Sequence, residues 1–455
     1  MPPHLDWSAF ENTDPFGFSP ASGTPSSPDA GYAAAAGLCN GQQRCLAGHN
    51  EVMCPSYRVT GEARHSPYHR AQAIRAALAA TPGDGSCFES EALRSALELC
   101  IGCKGCKREC PNGVDIALLA TEARARTRAT TPDVSRRDRL FAGLPDLVFY
   151  ARRLRVFIHL ANIMPGIGRL ARRLLRIAPR RPLPVPAANS FHDTHPLGAY
   201  GTGERGDVVL LADTFSNHFE PTIAKAALDL LTGLGYRVHL PRRSSQGQPL
   251  CCGRTYLSQG RIEEAKHRAT ALLNTLSPFA EAGIPIIGLE PSCLLMLRDE
   301  YRALGLGSKV TTLARNALML EEFLVRLVDE TPGALPLRPM PDRQILVHGH
   351  CHQKAFGTLA AVERLLGMIP GVFVTPIKAG CCGMAGAFGY EAEHDALSMR
   401  MAEDQLLPAV RNAPTGALIV ANGTSCRQQI EHGTGRRSLH LAQVLLMQLE
   451  VTAQA

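Results

Sequence analysis

The sequence predicts a multidomain chain, α and α/β in class: a helical, cysteine-rich N-terminal module followed by two homologous α/β half-domains. Three observations carry this. One N-terminal run, Cys100 to Pro111, has the order C-x2-C-x2-C-x3-C-P. After Asp207, short apolar runs alternate with amphipathic stretches, the texture of strands and helices laid down in turn. In that region Cys251-Cys252-Gly253 recurs as Cys381-Cys382-Gly383, 130 residues on, and Ser292-Cys293 recurs as Ser425-Cys426, 133 residues on. A repeat at fixed spacing marks duplicated units.

The elements follow in order. Residues 1–36, rich in Pro, Gly, Ser and Ala, predict a flexible tail. Residues 37–120 form the cysteine-rich module, with helical patterns at Pro67–Leu78 and Ser90–Leu99. Residues 121–206 read as a basic helical connector, closed by Pro182, Pro184 and Pro186. The half-domains take residues 207–335 and 336–455. Strands are expected at Val208–Leu211, Tyr236–Leu240, Ile284–Leu289, Ile345–His348, Val372–Val374 and Ala417–Ala421. Helices are expected at Glu220–Leu231, Arg261–Ala280, Ala314–Leu327, Ala392–Val410 and Leu439–Leu449.

Composition narrows the function. The 455 residues suggest roughly three domains. Charge, 48 basic against 41 acidic residues, and scarce aromatics argue against nucleic acid as partner. Fifteen cysteines in spaced clusters of a long chain read as metal or redox binding in a reducing compartment. No secretory leader and no run of about eighteen apolar residues is visible, so a cytoplasmic protein is expected.

Cys100, Cys103, Cys106 and Cys110 make a ferredoxin-type ligand run, in which three thiolates wrap one [4Fe–4S] cluster and the fourth serves another. An upstream copy, Cys39…Gln42…Cys45, then Cys54-Pro55, is degenerate. Crossing the ligands gives Cys54, Cys100, Cys103 and Cys106 one cluster, and Cys39, Cys45 and Cys110 a second. Gln42 is a poor iron ligand, so the second is expected to be [3Fe–4S] or an incomplete [4Fe–4S]. His49 is either a substitute ligand or a solvated loop histidine. Cys87 reads as a loop thiol outside the scheme.

Each half-domain pairs Cys-Cys-Gly with a later Ser-Cys, and the glycine allows the turn that points both thiolates at one centre. The second half adds Cys351, flanked by His350 and His352, and so holds Cys351, Cys381, Cys382 and Cys426 for a further cluster or a metal. The first half, weaker, has Cys251, Cys252 and Cys293, with Asp213 taken as the match of Cys351. The two histidines are either ligands or structural hydrogen-bonding groups.

These motifs resemble the cysteine-rich (CCG) domains of heterodisulfide reductase and of glycolate and lactate oxidase iron–sulfur subunits. The fuller set includes Asp213-Thr-Phe…Glu220-Pro221, Gly288-Leu-Glu-Pro-Ser-Cys293, His350-Cys351-His352-Gln-Lys354 and Ala421-Asn-Gly-Thr-Ser-Cys426-Arg427. With Met53-Cys54-Pro55-Ser56-Tyr57, His65-Ser66-Pro67 and Arg75, it is similar to the iron–sulfur portion of FAD-linked D-2-hydroxyacid dehydrogenases. That resemblance implies electrons arriving from FAD, here only on a partner domain or subunit, and leaving to a quinone or other acceptor. It implies, as the alternative, a component of a thiol-disulfide or heterodisulfide reductase. Met296 and Gln429 replace the last cysteine of that reductase motif and speak against it. The arginines of Thr121–Arg181 suit an acidic flavoprotein surface, peripheral membrane contact, or a solvated face.

Overall fold

The structure, a computed structural model, describes residues 2–11, 29–47, 52–80, 85–130, 135–241 and 249–450; His49 lies outside them. In the N-terminal module the predicted helices form at Pro67–Ala79 and Glu91–Glu98. Each starts at a serine, Ser66 or Ser90, whose hydroxyl accepts a backbone N–H of the first turn, as N-caps do. Helices Ala30–Gly37, Pro55–Thr60, Gly105–Glu109 and Ile116–Thr130 complete it.

The expected flexible tail is corrected where it is described. Leu5 and Trp7 are buried. The buried Glu122 carboxylate accepts from His4 N at 3.0 Å, Leu5 N at 2.9 Å and Trp7 Nε1 at 3.4 Å, with Arg126 Nε at 2.9 Å. The connector consists of helices Arg136–Ala142, Leu144–Arg153, Arg155–Ile163 and Pro165–Leu174. Pro145 and Pro165 sit in first turns, where a missing N–H costs nothing.

The remainder holds two sheets. Strands β1 (Gly198–Tyr200), β2 (Asp207–Leu211), β3 (Arg237–Leu240), β4 (Ile286–Gly288) and β5 (Ala317–Met319) run in the order β1-β3-β2-β4-β5. Strands β6 (Arg343–Val347), β7 (Val372–Pro376) and β8 (Leu418–Val420) run in the order β7-β6-β8. All pairings are parallel except β1 with β3. The central strands β2 and β6 occupy equivalent places: each pairs with the next strand on one side and with the strand that precedes the Ser-Cys helix on the other.

Two expected helices are interrupted. Ala317-Leu318-Met319 is wholly buried beside β4, so the stretch read as Ala314–Leu327 is helix Lys309–Asn316, then β5, then helix Leu320–Glu330. The stretch Ala392–Val410 is split into Asp395–Glu403 and Leu406–Asn412. A continuous helix would drive the Pro408 ring into the carbonyl of residue 404.

One core joins the N-terminal module to the outer helices of the first sheet, from Leu5 and Trp7 through Leu119 to Leu272 and Leu297. A second runs through both half-domains, from Val208 and Leu230 to Val347 and Leu445.

Candidate functional site

The N-terminal cysteines gather in two places. Cys54, Cys100, Cys103 and Cys106 line one small cavity together with Ser56 and Arg70. Cys39, Cys45 and Cys110 line another with Gln42, Tyr68 and Cys106. Tight backbone bends make this possible: Gln43, Cys54, Gly102 and Lys104 all have positive φ, 53°, 42°, 65° and 62°. Cys87 lies in the 3-10 turn Gly85–Glu89 and lines neither cavity.

The first cavity brings buried thiols against a buried cation. Cys54 Sγ receives Arg70 Nη1 at 3.2 Å, and Arg70 Nη2 reaches Ser56 Oγ at 2.9 Å. Burial works against the Arg70 charge, but Cys54, Cys100 and Cys106 outweigh it and hold the guanidinium above its ordinary pKa. The Cys106 thiol is pushed up to about 12 by burial, then by Asp115 and Cys100. Buried thiols so crowded lose their protons only against a cationic partner, which is the environment an iron–sulfur centre meets. The buried Lys104 bridges Asp115 at 2.8 Å, Asp299 at 3.0 Å and Glu300 at 3.2 Å, pinning this loop to the first half-domain.

In each half-domain the thiols form a chain. Cys351 and Cys381, Cys381 and Cys382, and Cys382 and Cys426 are close enough to shift one another's pKa in series. In the first half the chain is Thr214, Cys251, Cys252, Cys293. Cys351 and Thr214 each open the helix after the central strand, so Thr214, not Asp213, matches Cys351. Asp213 is instead the cap: its carboxylate accepts from Phe215 N at 2.8 Å and Ser216 Oγ at 2.6 Å. Gly253 and Gly383 have φ of 92° and 79°, and their N–H groups point at Cys251 and Cys381 Sγ, both at 3.4 Å. A Cβ at Gly383 would stand 2.3 Å from Ser398 O. Among the described residues no group of three or more His, Cys, Asp or Glu converges as a single metal ion requires.

His350 caps helix Cys351–Phe356 and His352 lies in its first turn. His350 Nδ1 accepts the His352 N–H at 3.1 Å, and His352 Nε2 meets Gly102 O at 3.0 Å. Both have structural partners on those nitrogens. The Gly102 contact brings the module's ligand loop against the second half-domain. Burial raises the Cys103 pKa, followed by Cys351, Cys106 and Cys381. A cavity of about 300 Å³ opens at the junction, lined among others by Cys100, Arg254, Glu290, His350, Cys351 and Thr424.

The remaining motif residues clamp the halves to each other. Glu220 accepts from Arg427 Nε at 2.9 Å and Thr424 Oγ1 at 3.0 Å, and Glu290 accepts Thr424 N at 2.8 Å. Met296 is enclosed in the core, and Gln429 accepts from the buried Arg181; neither side chain is among those bonded to the thiol chains. Arg70, Lys104, Thr214 and Lys354 were not singled out as site groups by spacing. Lys354 donates to Ala379 O and to Gly380 O, beside the Cys381 loop. For Lys104 and Lys354 the signal is a basic residue inside or just after a cysteine motif; Arg70 and Thr214 carry none.

A model of the 4Fe-4S dicluster domain matches residues 33–114, which include all seven cysteines of the two N-terminal cavities. The chain is 27% identical over 344 residues to one component of the anaerobic glycerol-3-phosphate dehydrogenase of Escherichia coli (strain K12), covering 74% of this chain and 83% of that protein. It is 25% identical over 460 residues to D-2-hydroxyglutarate dehydrogenase of Pseudomonas putida, covering 90% of this chain and 43% of that protein. It is 25% identical over 427 residues to the probable glycolate oxidase iron-sulfur subunit of Bacillus subtilis (strain 168), covering 86% and 90%. The chain thus spans less than half the length of the D-2-hydroxyglutarate dehydrogenase. No solved structure matches. These homologues agree with the resemblance carried by the motifs.

Proposed function

We propose that this chain is the iron–sulfur wiring of a flavin-dependent 2-hydroxyacid dehydrogenase, taking electrons from a reduced flavin on a separate domain or subunit and delivering them to a quinone or another acceptor. The observation that carries the reading is the meeting of the two cysteine groups, where His352 Nε2 reaches Gly102 O and Cys100 and Cys351 line one cavity. One-electron chemistry would be supplied by a [4Fe–4S] cluster on Cys54, Cys100, Cys103 and Cys106, and a [3Fe–4S] or incomplete [4Fe–4S] cluster on Cys39, Cys45 and Cys110.

The donor sets fit such groups: soft thiols, buried at Cys54, Cys103 and Cys106 and partly buried at the other four, with the Arg70 cation on Cys54. Arg70 offsets negative charge at Cys54 and so favours electron arrival there. Cys351, Cys381, Cys382 and Cys426 suit a further cluster in the same way, with Lys354 nearby. Three thiols and Thr214 make the first half-domain the weaker site. The disulfide-reductase alternative gains nothing from Met296, held in the core, or from Gln429, held by Arg181.

Anaerobically purified protein should carry about seven or eight irons per chain with matching sulfide, or more with the second half-domain filled. Oxidised protein should show a 3Fe paramagnetic signal, and adding the flavoprotein with a D-2-hydroxyacid should bleach the visible absorption. Zinc without sulfide would sink the reading; clusters that stay oxidised beside the reduced flavoprotein would sink the assigned electron donor.

A further inference from the structure

We propose that helices Leu144–Arg153, Arg155–Ile163 and Pro165–Leu174 form a monotopic surface that seats this protein on an anionic lipid bilayer. The first support is where apolar side chains meet water. Phe149, Tyr150, Leu154, Val156, Phe157, Leu160, Ile163, Met164, Leu170 and Leu174 are exposed, Phe157 at 69% and Leu174 at 73%. Among the described residues only five other large apolar side chains are exposed, and those are scattered through the chain. A concentrated apolar patch marks a partner or a membrane.

The second support is the direction in which these helices turn their polar groups. A solvated surface helix hides its apolar side and shows its polar one. Here several polar groups bond the proline-rich linker instead of water, although Arg153, His159, Arg169 and Arg173 remain exposed. Arg155 Nε donates to Pro186 O at 3.0 Å and Asn162 Nδ2 to Leu183 O at 2.9 Å. The buried Arg172 donates to Arg181 O at 2.9 Å and to Asn162 Oδ1 at 3.0 Å. Helix Arg155–Ile163 buries Ala161 alone. Gly168 lies so near Ala161 O that a Cβ there would be at 2.0 Å, so the last two helices pack as one closely joined hairpin. The large apolar side chains of these helices are left exposed beside the arginines.

Charge selects the occupant. From Leu147 to His192 the chain has nine arginines and no acidic residue. Exposed Arg153 stacks over the Phe149 ring at 4.5 Å, and Arg173 and Arg180 are also exposed. Aromatic and aliphatic side chains bordered by arginine match the boundary between acyl chains and anionic headgroups. Helices of nine or ten residues reach only about 15 Å, half a bilayer core, so they lie in the interface. No helix among the described residues is long and apolar enough to cross a membrane.

The test uses the full-length holoprotein in sedimentation with vesicles of phosphatidylcholine, alone or with phosphatidylglycerol. Wild type should pellet with the anionic vesicles at low salt, and added salt should weaken the binding. The double variant Phe157→Asp, Leu174→Asp should bind about tenfold more weakly while keeping its cluster absorption and melting temperature. No sedimentation of wild type at low salt, or equal binding by the variant, would overturn the proposal. So would loss of a stoichiometric flavoprotein complex in the variant without any vesicle binding by wild type, which would give the surface to a protein instead.

Discussion

Glu321 lies buried where the half-domains meet, with Asn422 Nδ2 donating to its Oε2 at 3.3 Å and Gln353 Nε2 donating to Oε1. Burial pushes its pKa up from the ordinary 4.5 to about 7. Between those values the native state keeps a proton that the unfolded chain has released, so stability falls as pH rises from 4.5 to 7. The loss is on the order of 3 kcal/mol when complete. Glu321→Gln mimics the protonated acid, since the facing amides can turn to suit it. The variant should therefore show a flatter dependence of the urea midpoint on pH across this window. Some slope should persist, because burial and Glu290 raise Asp213 to about 6. Identical slopes in both proteins would contradict the assignment. Nothing in the sequence marked Glu321, because its role comes from burial and from partners 32 and 101 residues away.

Among elements, those with strong local signals were legible. The six expected strands all form, and the helices expected at Pro67–Leu78 and Ser90–Leu99 form as Pro67–Ala79 and Glu91–Glu98. Strand β5 was not, because a buried parallel strand of three apolar residues reads like part of a helix until its neighbour is known. The equivalence of Thr214 and Cys351 was likewise hidden, since it rests on which residue opens a helix rather than on residue type. Clamps between elements belong to the same class. The buried Arg427 spans the half-domain junction to Glu220 and also donates to Ala421 O at 3.0 Å and Asn422 O at 2.8 Å. Arg427→Ala leaves a partly buried carboxylate without its cation and should lower stability by about 2–3 kcal/mol in urea unfolding. Arg427→Lys should recover less than half of that, because an ammonium cannot serve this fork of acceptors. Full recovery by lysine would mean that charge alone holds the junction.

At the scale of the whole molecule, cysteine spacing grouped the thiols that line the two N-terminal cavities, but the joining of modules was not visible in it. The N-terminal residues looked like a free tail because their composition is loose, yet Leu5 and Trp7 are enough to dock them. Trp7, the only tryptophan, packs 4.9 Å from the Tyr32 ring, and its indole N–H is taken by Glu122. The core around it also contains Cys54 and Cys106. Cluster binding energy is therefore folding energy for the region that encloses Trp7. Anaerobic removal of iron with a chelator leaves crowded buried thiols that no longer hold the loops Cys39–Cys54 and Cys100–Cys110 together, and the docked N-terminus should loosen with them. Trp7 emission should shift to the red, and protease sites should open between residues 29 and 130. The half-domain core, which contains none of these seven cysteines, should keep its far-ultraviolet circular dichroism. An unshifted emission maximum after complete iron loss would show that the module folds without its clusters.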